Sequence, residues 1–394
     1  MSYQRLIPSI TEYAEKFKRL DSLDFKIIRA ILTYNTYNAR RLAEIVEAPK
    51  QTISYRIRRF DGGDIVRFRA VINEPKLGLK SYSVRASTQV GKEDDSGCAL
   101  TSFPLWRYLA IVDGWKLGNY VRYVIPPDKE RDLKAFLNEL SERELISDYE
   151  MHATASPKYP LLNMDFYTGK HEVPMFDWKK WVTAFDTYTP ERTDEHENYE
   201  KAEFDLIDLI ILRCLELNAR TTQRRIVAEI AQTLGEKNSK KYIPLVSRRI
   251  MNDLNPQGLI CGYRAYLFPS QEQGSLLFLF RIDFKNTKSL LKFTEALKHL
   301  PYSASYEKIL DRDSMFLRLV VPAFEYTGMR ESIKELAEKG HIKDANMLLG
   351  DLAHGTWDNV EIHQMFKDGS WNFSYGAATE MLDRLLHERE KTKS

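Results

Sequence analysis

Apolar residues at Phe25, Ile27, Ile28, Ile31 and Leu32 recur close to the i, i+3, i+4, i+7 spacing of one helix face and predict a helix over Asp24 to Thr33. Asp24 sits at its start, where an acidic side chain meets the positive end of the helix dipole. Asn38 can cap a second helix, Ala39 to Val46, which Glu47-Ala48-Pro49 ends because the residue before proline is pushed out of the α region. Pro49 suits the first turn of a third helix that runs through Phe60. Its apolar face is Ile53, Ile57 and Phe60; Lys50, Gln51, Ser54, Tyr55, Arg58 and Arg59 lie on the other. Asp61-Gly62-Gly63-Asp64 then turns the chain into an alternating strand, Ile65 to Ile72.

A different pattern follows. Strands are predicted near Ser81 to Thr88, over Trp106 to Val112 and over Tyr120 to Ile125, then a helix from Asp128 to Leu145 and a last strand starting near Tyr149. Between the first two strands, Gly91-Lys92-Glu93-Asp94-Asp95-Ser96-Gly97 disfavours helix and reads as a loop.

The same phrases return later. Ile53-Ser54-Tyr55-Arg56-Ile57 is echoed by Val246-Ser247-Arg248-Arg249-Ile250, and Val121-Arg122-Tyr123-Val124-Ile125-Pro126 by Leu317-Arg318-Leu319-Val320-Val321-Pro322. The offset grows from about 184 positions (Asp21 to Asp205) through about 193 (Arg56 to Arg249) and about 195 (Arg69 to Arg264) to about 196 (Arg122 to Arg318), stepping where loops are expected. In the second copy the weak stretch becomes a plausible helix, Thr287 to Leu300, which gives strand, helix, strand, strand, helix, strand. The expected fold class is therefore α+β: two tandem copies of a winged helix-turn-helix plus a ferredoxin-like βαββαβ sandwich. The expected units are residues 1–75, 76–185 and, after a linker at 186–203, 204–269 and 270–394. Each copy ends in an aromatic tail, with Trp178, Trp181, Trp357 and Trp371 read as packing or interface residues.

Composition narrows the function classes. The 394 residues, 43% of them hydrophobic, suffice for several cores. No run approaches the roughly 20 apolar residues that span a bilayer, and the acidic and basic residues of the first 20 positions do not make a signal peptide, so a cytoplasmic protein without a membrane partner is expected. Cys98, Cys214 and Cys261 are too few and too far apart for a disulfide framework or a zinc knuckle. Phosphate-binding glycine loops, metalloprotease His-Glu-x-x-His and Gly-x-Ser-x-Gly nucleophile motifs do not occur, and His354 and His363 fit no common metal spacing. The expectation is no enzyme, no cofactor and no metal.

The net charge of +2 is unevenly spread. Residues 1–75 carry 14 basic against 9 acidic residues and 200–269 carry 11 against 8, whereas 92–199 carry 13 against 20. Basic charge thus follows the repeated helix segments, as a footprint for a polyanion would. A solvated face is the commoner fate of such a charge run; three short helices, a turn and a strand in this order favour a helix that enters the major groove of double-stranded DNA.

Leu42-Ala43 in the second helix, Ile53-x-x-Arg56-Ile57-x-Arg59-Phe60 in the third and the βαββαβ partner resemble the Lrp/AsnC (leucine-responsive regulatory protein) transcription regulators. The resemblance covers most of residues 20–153 and 204–350. It implies a DNA-binding regulator whose sandwich domains pair with one another as a homo-oligomer and sense a small, amino-acid-like effector. By position it places Lys50, Gln51, Ser54, Tyr55, Arg56, Arg58, Arg59 and Arg67 at the DNA in the first copy, with Arg56 equally readable as an anchor between helix and wing. In the second copy it places Lys240, Lys241, Ser247, Arg248 and Arg249 there, although the turn before them has grown and Pro244 falls near the helix start. The effector cleft would involve Asp113, Gly114, Asp311 and Asp313, in turns that depart from the usual Gly-x-x-Asp. A duplicated chain could form the two-fold arrangement within itself, as a pseudo-dimer. The alternatives are a relative that has lost DNA binding and serves as a ligand-binding or interaction module, and an enzyme like the siroheme decarboxylases, which resemble the same two-domain layout.

Overall fold

The computed structural model describes residues 17–62, 66–114, 116–167, 175–190, 200–237, 240–267, 274–352 and 356–393. The first helix, α1 (Ser22–Tyr34), starts at a reciprocal cap: the Asp21 side chain accepts from the Asp24 amide and Asp24 accepts from the Asp21 amide, both at 3.0 Å. Asn38 caps α2 (Ala39–Val46), and α3 (Lys50–Gly62) follows. Ile53, Ile57 and Phe60 of α3 join Phe25, Ile28 and Leu42 in a small core. Strand β1 (Arg67–Ile72) leaves this unit; Gly63 to Ile65 of the expected turn lie outside the described residues.

Next come β2 (Lys80–Ser87), α4 (Glu93–Ser102), β3 (Trp106–Asp113), β4 (Gly118–Ile125), α5 (Glu130–Glu142) and β5 (Asp148–Thr154). The loop expected at 91–97 is a correction, since α4 occupies most of it. Glu93, Asp94 and Asp95 stand in its first turn, favourable at the positive end of the helix dipole, and Ala99 and Leu100 are buried on the sheet. Gly97 is tolerated because closeness is needed there: an added Cβ would lie 3.2 Å from Asn119 Oδ1, and Asn119 itself donates to Ser96 Oγ at 3.1 Å. Packing thus overrides weak propensity.

After α6 (Trp178–Ala184) the order repeats. Asp205 and Asp208 form the same reciprocal cap at the start of α7 (Leu206–Leu217), Thr222 caps α8 (Gln223–Thr233), and α9 (Ile243–Arg248) runs into a π-helical segment, Arg249–Leu254. Then follow β6 (Ile260–Tyr266), β7 (Ser275–Phe284), α10 (Thr287–Leu297), β8 (Ser303–Ile309), β9 (Ser314–Pro322), α11 (Tyr326–Glu338) and β10 (Ile342–Gly350). The chain ends in β11 (Thr356–Asp358), the short strands β12 (Phe366–Lys367) and β13 (Ser370–Trp371), and α12 (Tyr375–Lys393).

Strand pairing joins the two halves in two places. Strand β1 pairs antiparallel with β6, Arg67 facing Tyr266 and Arg69 facing Arg264, so each of these strands finds its strand partner in the other half. The four-stranded orders β5-β2-β4-β3 and β10-β7-β9-β8 are joined edge to edge, by Thr154 with Ile309 and by Leu349 with Asp113. Eight strands thereby close into a ring, and β11 continues along the outer edge of β3, Asp358 facing Tyr108. Closure removes exposed edges that would otherwise invite pairing with other chains.

The tails cross between halves. Trp178, Trp181 and Phe185 share a core with Phe278, Phe293 and Leu336 of the second sheet and its helices. Leu382 and Phe373 share one with Phe103 and Phe136 of the first. Glu325, buried on the second half, accepts from Trp178 Nε1 at 2.5 Å and from Tyr302 OH at 2.8 Å, while Trp371 Nε1 donates to the Leu77 carbonyl at 2.8 Å. Among the described residues no helix is long and apolar enough to cross a membrane.

Candidate functional site

Helix α3 divides its cationic residues between two tasks. Asp24 is fully buried and accepts from Arg56 Nη1 at 2.9 Å and from Arg59 Nη2; Asp21 accepts from the same Arg56 nitrogen at 2.6 Å. Arg56 and Arg59 therefore clasp α3 to the capped end of α1, which places two residues expected at DNA on the inner side instead. On the outer side Lys50, Gln51 and Arg58 are exposed, as is Tyr55 at 59%. Arg58 Nε donates to the Ser54 carbonyl one turn back, at 3.2 Å, and Ser54 and Arg67 are half-buried. Positions 51, 55 and 58 share a face by the i, i+4, i+7 spacing.

The second half keeps the clasp and thins the face. Arg249 donates to Asp208 at 2.6 Å and to Asp205 at 2.8 Å, repeating the inward role of Arg56. Lys241 pairs with Glu236, and Ser247 accepts from Gln223 Nε2. Lys240 and Arg248 remain exposed, alongside Ile243 and Met251. Helix α9 holds only six residues, with Pro244 in its first turn.

The four expected effector residues are not brought together. Asp113 ends β3 at the seam with β10, and an added Cβ on Gly114 would press on Leu348. Asp311 and Asp313 lie in the turn after β8, whose edge pairs with β5 at the other seam; Asp313 accepts from Thr287 Oγ1 at 2.7 Å and Asp311 holds Arg312. Trp115 lies outside the described residues.

A feature not anticipated from the sequence lies between the β1–β6 pair and the strand ring: a cavity of about 240 Å³. Its wall carries the guanidiniums of Arg69, Arg107, Arg122, Arg264 and Arg318. Glu74 takes Arg122 on both oxygens, at 2.6 and 3.0 Å, and Arg107 Nε at 3.1 Å. Arg107 also donates to the Asn359 carbonyl at 2.7 Å and to Glu216, so one side chain ties strand β3 to α7 and to the last segment of the chain. Asp358 accepts from Arg69 Nη1 at 2.8 Å. Glu307 accepts from Arg318 at 2.8 Å, from Ser83 at 2.6 Å and from Tyr120 at 3.0 Å. Burial raises the Glu74 carboxyl, and Arg122 and Arg107 more than offset it, holding it below its ordinary value. One signal in the sequence pointed here: Arg122 and Arg318 interrupt strands that are otherwise nearly all apolar or aromatic, at matched positions of the repeat.

No known family profile matches the chain and no curated protein sequence does. Among solved structures, the siroheme decarboxylase NirDL is similar over 92% of this chain and 100% of its own at 13% identity, with a TM-score of 0.46. An AsnC family transcriptional regulator from Agrobacterium tumefaciens is similar over 37% of this chain and 99% of its own, at 20% identity and a TM-score of 0.31. LrpC of B. subtilis is similar over 34% and 93%, at 18% identity and a TM-score of 0.28. These are likenesses of backbone path within the α+β class. Among the described residues no group of three His, Cys, Asp or Glu side chains is placed to hold a metal.

Proposed function

We propose that this chain is a sequence-specific regulator that binds double-stranded DNA in the cytoplasm, with α3 as the helix that enters the major groove. The observation that carries the reading is the division of labour on α3: Arg56 and Arg59 fix its inner side to α1, and Lys50, Gln51, Tyr55 and Arg58 are presented outward. Lysine and arginine on that face can meet phosphates, and glutamine and arginine can read base edges by paired hydrogen bonds. The two halves are read as a tandem duplication, each a winged helix-turn-helix with a ferredoxin-like βαββαβ unit, forming a pseudo-dimer through β1–β6 and the two seams. The shorter, less charged face at α9 makes the second unit the weaker partner on DNA and suits an asymmetric site. A second reading, a ligand-binding module that has given up DNA, is favoured by the arginine-lined cavity.

Binding to duplex fragments at several salt concentrations separates the two. The DNA reading predicts a linear fall of log K with log salt, and a slope shallower by about 1 for each phosphate contact removed by Lys50→Ala or Arg58→Ala. A protein that retards no duplex at low salt supports the second reading.

A further inference from the structure

We infer that the second helix-turn-helix unit docks on the same duplex as the first and reads thymine there, Ile243 and Met251 packing against the C5-methyl groups that thymine presents in the major groove. This rests on the DNA reading above and names the base content of the second half-site. The docking follows from what the repeat keeps. Asn38 caps α2 and Thr222 caps α8, and behind each cap stands a pair of exposed arginines, Arg40-Arg41 and Arg224-Arg225, at the offset that separates Asp21 from Asp205. Arg40 meets Glu44 at 3.5 Å on an open surface, where an ion pair contributes little and yields readily to a phosphate. Arginine contacts to the sugar-phosphate backbone fix register and orientation without reading sequence. The clasp is kept as well: Arg249 holds Asp205 and Asp208 as Arg56 holds Asp21 and Asp24, so α9 is fastened to its unit as α3 is to its own.

The base follows from what the repeat changes. The outward residues of α3, Lys50, Gln51, Tyr55 and Arg58, match Ile243, Pro244, Arg248 and Met251, and every one of them is exposed. Two cations and an amide have thus become apolar groups, while a cation has replaced Tyr55. Ile243 is 45% and Met251 68% exposed, so both large apolar side chains face water where their counterparts carry charge. Exposed apolar groups gathered on one face mark a binding surface. In the major groove an apolar side chain distinguishes one feature of the base edges, the methyl group of thymine. The surroundings settle the choice of occupant: Arg224, Arg225 and Arg248 are exposed beside the patch, and a cationic rim around an apolar centre complements a polyanion that carries methyl groups on its inner edge. The two units therefore share a way of gripping the backbone and differ in what they read, hydrogen-bonding edges under α3 and methyl groups under α9.

Duplexes that the full chain selects from a random pool test this when remade with deoxyuridine for thymine in one half-site at a time, which removes the methyl group and leaves base pairing unchanged. Uracil in one half-site should weaken binding by about fourfold for each contacted methyl. That sensitivity should disappear in Ile243→Ala/Met251→Ala and persist in Lys50→Ala/Arg58→Ala. Selected duplexes that bind equally well with uracil in either half-site, or a sensitivity unchanged in Ile243→Ala/Met251→Ala, would overturn the assignment and leave the DNA reading standing. Sedimentation showing a dimer that Ile243→Ala/Met251→Ala dissociates would also overturn it, giving the patch to a second copy of the chain. Absence of any duplex binding at low salt would overturn the DNA reading itself, so the two failures are distinct.

Discussion

Arg69 on β1 stands directly opposite Arg264 on β6, the residue found at the matching position of the repeat, and Asp358 lies where it interacts with both. Facing like charges weaken a strand pair. Here the pair persists because a carboxylate delivered by the far end of the chain neutralises it, so the tail of one half completes the junction between halves. Asp358→Asn is expected to destabilise the fold by about 3 to 5 kcal/mol, the usual consequence of leaving buried cations without their partner. Urea unfolding with an unchanged m-value would measure it; a loss under about 1 kcal/mol would show that the junction does not need this charge.

The same groups set an acid limit to stability. Burial raises the Asp358 carboxyl, and Arg69, Arg264 and Arg318 more than offset this, so its folded pKa lies below the ordinary 3.8; Glu74 likewise lies below 4.5. A carboxylate depressed on folding contributes stability above its unfolded pKa and loses it as pH falls through the folded value. The Tm of the wild-type protein should therefore decline as pH drops below about 4.5, and the decline in Asp358→Asn should be shallower. Parallel Tm curves for the two proteins over this range would contradict the charge role of Asp358.

Arg56 and Arg58, two residues apart, should behave as opposites. Arg56→Ala breaks the clasp to Asp21 and Asp24 and leaves Asp24 buried with one partner fewer, at a cost of about 2 to 4 kcal/mol. Arg58→Ala removes an exposed side chain and should change stability by less than about 0.5 kcal/mol. Equal stabilities of the two variants would remove the structural ground for reading α3 as two-sided.

Glu325 gathers Trp178, Tyr302 and the Phe176 amide, the last at 2.8 Å, and so fastens the first tail to the second half. Glu325→Ala leaves these donors unpaired in a buried site and should cost about 2 to 4 kcal/mol, with a red shift of tryptophan fluorescence as Trp178 gains water. An unshifted spectrum would place the anchorage of the tail elsewhere, on Trp181 and Phe185 alone.

What was legible in the sequence was local. The cap at Asn38, the apolar stripe of α3 and the alternation of β1 each follow from spacing within one element, whereas the reciprocal caps at Asp21 and Asp205 emerged only with the structure. Helix α4 was not legible because Gly91 to Gly97 has weak propensity, and its helix rests on contacts with Asn119 and Leu109 from distant strands. The partner of β1 was hidden for a similar reason: pairing with β6 joins residues nearly 200 positions apart, and no local pattern encodes it. The inward turn of Arg59 depended on Asp24 of another helix, so helical periodicity alone placed it outside. Arg122 and Arg318 were visible as charges in apolar strands, but only ring closure shows that they share a cavity.

The central claim is tested most directly by the salt dependence of duplex binding in the wild type and in Lys50→Ala/Arg58→Ala, with Arg248→Ala measured beside them. Wild-type affinity should fall steeply with salt, and the double variant should bind more weakly with a slope shallower by about 2, while Arg248→Ala has the smaller effect. Identical affinity and slope in the wild type and the double variant would contradict the assignment of α3 as the DNA-reading helix.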